Sequence, residues 1–265
     1  MPIKIFWVIA STTNAGKTSL ASSLIRILNN KGVSALGFKP IAGMRYSEGV
    51  KDFHLYDSLH CGLYGSDANK LCSASPLTRD VMPSIIAPSQ LLFKNNIMQP
   101  ILYRMGSTQL GDLTYYKGRF LDNFIKDPNI KSTLAKQIPI SGHTCWPTEE
   151  KKQSSQFIST SLDYLKSLKP QEIVMEGAGP FLPSFKGVNK VNNVFLIIAD
   201  KIHYFENINI TFTQKNSTPI PIEPFLQKIR VTSKAPKTIR IKKVDIAMIE
   251  RYYDEQVRQL LINYN

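Results

Sequence analysis

Hydrophobic and polar positions alternate along this chain in blocks that predict strands and helices in turn. Ile5 to Ala10 is an unbroken apolar run bounded by small polar residues, the pattern of a strand buried on both faces. Ser19 to Leu28 follows with Leu20, Leu24, Ile27 and Leu28 at helical spacing. Val33 to Phe38 reads as a second strand and Arg45 to Gly65 as a polar loop. A helix is predicted to start near Gly65, with Ser66 or Asp67 as its N-cap. Pro76, Pro83 and Pro88 then exclude one continuous helix. Leu113 to Ile125 suits a short helix ending at Asp127-Pro128. Phe157, Ile158, Ser161, Leu162, Leu165 and Leu168 define a clearer one that stops before Pro170. Glu172 to Met175 and Asn193 to Ala199 are further strands, and Asn207 to Thr213 alternates like one. Val244 to Tyr264 closes the chain as an amphipathic helix, with Ile246, Ile249, Tyr253, Val257, Leu260 and Leu261 on one face. That face packs on its own domain or on a partner. Strands and helices in this order predict an α/β three-layer fold with a mostly parallel sheet, in one domain spanning 1–265.

The first strand and first helix are joined by Ser11 to Gly16, and the helix begins at Gly16-Lys17-Thr18. Strand, turn, Gly-Lys-Thr and helix form the layout of a phosphate-binding loop. In such a loop backbone N–H groups cradle phosphates, the lysine reaches the outer phosphates and the threonine hydroxyl meets Mg2+. The full pattern, G-x-x-x-x-G-K-[ST], requires a first glycine where this chain has Ser11, with Ala10 beside it. The plainer alternative is an ordinary β–α junction that happens to contain Gly-Lys-Thr.

Composition narrows the class. With 265 residues, 43% apolar and 20% charged, the chain can build one large core. Its longest clean apolar run, Val194 to Ala199, is too short to cross a bilayer, and Met1 to Ala10 lacks the cleavage site of a signal peptide. A soluble cytoplasmic protein of bacterial type is expected. Three cysteines with no C-x-x-C argue against a disulfide framework or a zinc site. The formal net charge of +13 is concentrated late, where Lys228, Arg230, Lys234, Lys237, Arg240, Lys242 and Lys243 run without an intervening acid. This segment is either a solvated basic edge or an interface for an acidic protein partner. No nucleic-acid motif accompanies it, so nucleic acid ranks behind both.

Four motifs stand in a telling order: STTNAGKT, FKPIAG, GSDA and MEGAG. Together they resemble dethiobiotin synthetase and its superfamily, which includes cobyric acid synthase, over about Ile3 to Ala199. The interval around 94–155 stands out as an enlarged insertion. The family closes a ureido ring on a diaminated fatty acid with CO2, ATP and Mg2+. The resemblance therefore implies ATP and Mg2+ as cofactors. It places Asn14, Gly16, Lys17 and Thr18 at the nucleotide, and Thr18, Asp67 and Glu176 at the metal. Lys39 matches the lysine that neutralises carbamate and transferred phosphate. Hard oxygen donors of this kind suit Mg2+.

Departures from the family pattern point elsewhere. Ala10 stands for the loop's first glycine, Thr12 for its aspartate and Asn14 for an active-site glutamate. Gly43 replaces the serine after Lys-Pro-x-Ala, and Pro180 replaces a glycine of the E-G-A-G-G run. The metal and phosphate residues persist while the substrate and base positions do not. The expected role is a catalytically inactive relative that binds other proteins as a subunit of a bacterial multiprotein complex. Type IV secretion is one setting for such a complex. The basic C-terminal segment of 228–265 and the insertion are its candidate interfaces. The alternative is an ATP- and Mg2+-dependent carbon–nitrogen ligase such as dethiobiotin synthetase itself, and a third is a nucleotide-dependent switch or carrier.

Overall fold

A computed structural model describes residues 2–12, 14–46, 54–55, 63–76, 83–94, 100–118, 137–139, 148–177, 181–182, 190–208, 210–211, 220–221, 235–242 and 248–262. In chain order the main elements begin with β1 (Lys4–Ala10), α1 (Lys17–Asn30), β2 (Ala35–Phe38) and β3 (Ile41–Tyr46). Next come α2 (Ser66–Ala74), α3 (Pro83–Ile86), β4 (Ser89–Lys94), β5 (Pro100–Ser107), β6 (Asp112–Lys117) and β7 (Gln137–Pro139). The chain continues through α4 (Thr148–Ser167), β8 (Glu172–Glu176), β9 (Asn193–Ile198), β10 (Lys201–Phe205), β11 (Lys237–Arg240) and α5 (Ile249–Leu260). Two-residue bridges pair His54–Leu55 with Leu63–Tyr64, Phe181–Leu182 with Ile220–Pro221, and Lys190–Val191 with Ile210–Thr211. The protein is α/β with mixed sheets.

Among the described residues the larger sheet has six strands in the order β11-β10-β9-β1-β8-β2. Its central pairs, β1 with β8, β1 with β9 and β8 with β2, are parallel, while β9–β10 and β10–β11 are antiparallel. The continuous apolar runs of β1, β8 and β9 follow from this position, because a central strand covered on both faces has no solvent side. Phe6, Val8, Ile173, Val174, Val194 and Phe195 are fully buried. Leu20, Leu24, Ile25 and Leu28 of α1 join the same core.

A second sheet runs β3-β4-β5-β6-β7, with β3–β4 and β6–β7 parallel and β4–β5 and β5–β6 antiparallel. It revises two expectations. Leu113 to Lys117, read as the start of a helix, is strand, because the Tyr115-Tyr116 aromatics pack against β5 and pair in register with Arg104 and Tyr103. Residues 45–46, read as loop, complete β3. The interval 94–155 supplies β5, β6 and β7, which extend the sheet begun by β3 and β4. The guanidinium of the buried Arg104 at its centre donates to the carbonyls of Ala87, Pro88 and Gly106.

Asp67 is no N-cap. Gly65 holds that position, and Asp67 lies within the first turn of α2. The terminal amphipathic helix is observed as α5. It packs on α1, burying Tyr253, Val257, Leu260 and Leu261, so its apolar face is used within the chain. Of the two proposed interfaces, 228–234, 243–247 and 263–265 of the one and 95–99, 119–136 and 140–147 of the other lie outside the described residues. Among the described residues no helix is long and apolar enough to cross a membrane.

Candidate functional site

The parallel strands bring their C-terminal ends to one edge of the larger sheet, where open α/β sheets form ligand crevices. Val8 of β1 is paired with Glu176 of β8, and Phe38 of β2 with Met175 of β8. Lys39, the next residue after β2, therefore arrives beside Glu176. Its backbone N–H donates to the Ile86 carbonyl at 2.8 Å, which fixes the chain where it leaves the sheet.

The turn between β1 and α1 carries two left-handed residues, Asn14 at φ 57° and Gly16 at φ 83°. Gly16 is the N-cap of α1 and has no side chain to satisfy the helix's first N–H groups. Those donors, with the positive end of the helix dipole, face the edge of the sheet. Lys17, only 7% exposed, folds back so that its Nζ donates to the Thr12 carbonyl at 3.1 Å. Asn14 is solvent-exposed.

Four further groups converge beside this turn. Thr18 Oγ1 donates to Glu176 Oε1 at 3.0 Å. Lys39 Nζ donates to the same oxygen at 2.6 Å and also pairs with Asp67 Oδ2. Lys39 is 6% exposed and Glu176 only 1%. Asp67 remains half-buried, with its side chain 35% exposed. Glu176 Oε2 is buried with no hydrogen-bond partner. Thus Lys17, Thr18, Lys39, Asp67 and Glu176 are brought together, with Gly16 at their edge, while Asn14 points to solvent.

Burial sets the electrostatics. It lowers Lys17's pKa from the usual lysine value, with the positive charge of Lys39 acting in the same sense and Glu176 and Asp67 opposing it. Burial alone would lower Lys39 too, but Glu176 and Asp67 together hold its ammonium above the ordinary lysine range. Burial also opposes ionisation of Asp67, yet Lys39 and the Thr18 hydroxyl outweigh it and keep that carboxyl below its usual value. In Glu176 burial dominates, reinforced by Asp67, and the carboxyl is pushed up despite Lys39.

The donor set fits the expected group. Thr18, Asp67 and Glu176 offer hard oxygens around one point, the chemistry Mg2+ selects. The unpartnered Glu176 Oε2 has unused acceptor capacity there. Gly16 and the N-terminal turn of α1 offer N–H groups to a phosphate, with Lys17 beside them.

The altered positions are also visible. Gly43 lies in β3, paired with Leu91, and a Cβ added there would meet the Phe93 ring at 3.5 Å. Ala178 to Pro180 lie outside the described residues. The sequence grouped Tyr253 only with an apolar stripe. Its packing against Gly16 joins segments 237 positions apart and leaves no local sequence signal.

No protein-family model and no curated protein sequence matches this chain.

Proposed function

We propose that this chain is a diverged dethiobiotin-synthetase-like P-loop protein that binds the phosphates of a nucleotide together with Mg2+. In this reading it works as a protein-binding subunit of a bacterial multiprotein complex rather than as a ligase. The observation that carries the phosphate reading is the convergence of Lys17, Thr18, Lys39, Asp67 and Glu176, drawn from four separate stretches, on one largely buried cluster beside the N-terminus of α1. Bound Mg2+ would supply charge neutralisation of the phosphates. Thr18, Asp67 and Glu176 would hold it, while Lys17 and the loop N–H groups hold phosphate oxygens.

The subunit reading is supported by what the site lacks. Position 12 presents its backbone carbonyl to Lys17 and has no carboxylate, and Gly43 has no hydroxyl. Neither position offers a carboxylate to pair with or deprotonate an amine substrate. The ligase reading is favoured by the intact charge cluster and stands second.

Titration with ATP and Mg2+ tests the phosphate reading: binding that is lost in Lys17→Ala supports it, and no binding to the wild type defeats it. Complementation of a biotin auxotroph lacking its synthetase separates the two roles. Growth would establish the ligase and remove the subunit reading. Affinity purification from the native cell, with mass spectrometry of co-purifying proteins, tests the subunit reading directly.

A further inference from the structure

Gly16 and Tyr253 meet face to face. A Cβ built on Gly16 would lie 2.1 Å from the Tyr253 hydroxyl oxygen and 2.9 Å from its ring carbon Cζ. Only a residue without a side chain can sit under that hydroxyl. Gly16 is also the residue whose φ of 83° turns the chain from the loop into α1. Tyr253 is 4% exposed. Its ring meets Tyr252 edge-on, with ring centroids 5.8 Å apart. The Tyr252 hydroxyl in turn accepts from the Lys242 N–H and donates to the Arg240 carbonyl, which ties the helix to the edge strand β11. Further along, Arg26 of α1 pairs with Asp254 at 2.8 Å and Lys31 Nζ donates to the Leu261 carbonyl at 3.0 Å. The C-terminal helix is thus fastened along α1, with one tyrosine resting on the turn that shapes the loop.

We propose that Tyr253 is a positioning residue of the loop: its hydroxyl wedges Gly16 in place, so that loop geometry and docking of the C-terminal helix form a single coupled equilibrium. Whatever orders the loop then tightens the helix, and whatever pulls the helix away loosens the loop. The coupling stands on the Gly16–Tyr253 contact alone. Its response to an anion rests on the phosphate reading above.

Two measurements test it separately. The first needs no ligand: thermal unfolding of the full chain carrying Gly16→Ala, Tyr253→Phe and both. The left-handed strain of an alanine at position 16 and its 2.9 Å approach to the ring carbon Cζ are common to both backgrounds, whereas the closer 2.1 Å clash with the hydroxyl is not. Gly16→Ala is expected to lower the melting temperature less in the Tyr253→Phe background than in the wild type, a non-additivity that two uncoupled sites would not show. If Gly16→Ala does not fold alone, recovery of folded protein in the double variant supports the proposal. Additive shifts, or a double variant that also fails to fold, overturn it.

The second is hydrogen exchange with inorganic pyrophosphate as the probe. Pyrophosphate is expected to slow exchange across 249–260 in the wild type. Tyr253→Phe is expected to bind it at least about five-fold more weakly and to lose that protection. Pyrophosphate bound equally by both proteins, with the same protection, overturns the proposal. A wild type that ignores pyrophosphate while the unfolding cycle stays non-additive defeats the phosphate reading and leaves the coupling in place.

Discussion

Thr18 Oγ1 donates to Glu176 Oε1 at 3.0 Å although 158 positions separate the two residues. The bond joins the first turn of α1 to the end of β8, and the same oxygen accepts from Lys39 at 2.6 Å. One carboxylate oxygen thereby fastens three elements, and each of them carries a residue expected at the nucleotide site. The fold and the site are held by the same contacts.

Removing Lys39 should therefore be costly and non-additive. Lys39→Met leaves Glu176 buried without its cation, and breaking such a pair costs about 3–5 kcal/mol. Glu176→Gln in the same protein removes the stranded charge. The double variant is expected to recover a good part of the loss, as read by urea unfolding. A double variant as unstable as the sum of the singles would show that the pair is not coupled.

The pH dependence follows from the signs of the shifts. Asp67 is held below its ordinary value of 3.8, so its contribution to stability is full above that value and is lost as pH falls through the lower folded one. Lys39 is raised above 10.5, so its contribution is full below that value and is lost as pH rises through the higher folded one. Glu176 has the opposite sign to Asp67: raised from 4.5, it favours the fold most when protonated, below 4.5, and that part is lost as pH rises through its folded value. Asp67→Asn should accordingly flatten the acid limb of the stability profile and, because Asp67 helps to hold the Lys39 ammonium up, also shrink the alkaline limb. An unaltered acid limb would refute the assignment.

For the C-terminal helix, packing should outweigh charge. Leu260 is 2% exposed against α1, and Leu260→Ala should cost about 2–5 kcal/mol. The Arg26 pairs with Asp254 and Glu250 are partly solvated, with side chains 28–60% exposed, so Arg26→Ala should cost no more than about 1 kcal/mol and less at high salt. Chemical denaturation at two ionic strengths distinguishes them, and a larger effect for Arg26 would contradict this ranking.

Periodicity made the parallel strands of the larger sheet and its helices legible because those elements are set by local rules, whereas β10 and β11, which it did not predict, join that sheet through antiparallel pairing. The runs at β1, β8 and β9 are apolar without interruption, and α1 and α4 repeat at helical spacing. The second sheet was hidden for the converse reason. Leu113-Thr114-Tyr115-Tyr116 carries no alternation, and its strand form comes from pairing with β5, a tertiary cause. The members of the candidate cluster were legible residue by residue, but their connections were not. A lysine, a threonine and two acids can be named from motifs, whereas Lys39 shared between Asp67 and Glu176 depends on adjacent strand ends. Tyr253 could be placed on a buried face from its spacing, but its target Gly16 could not.

The last prediction concerns Mg2+. The oxygens of Thr18, Asp67 and Glu176 suit that ion, yet the Lys39 ammonium already lies between the two carboxylates. Mg2+ entering this cluster without nucleotide must displace a cation that is covalently tethered and desolvated. The wild type should therefore bind free Mg2+ weakly. Lys39→Met removes the competitor and leaves Asp67 and Glu176 without a neutralising charge between them. A ligand that binds only the folded state stabilises it by about 2.7 kcal/mol at a hundred times its Kd. Added Mg2+ should thus raise the melting temperature of Lys39→Met clearly, and that of the wild type little. Adding Asp67→Asn to Lys39→Met should abolish the gain, because one hard ligand is lost. Equal Mg2+ shifts in wild type and Lys39→Met would mean that the ion binds elsewhere on the surface and that these three oxygens do not form its site.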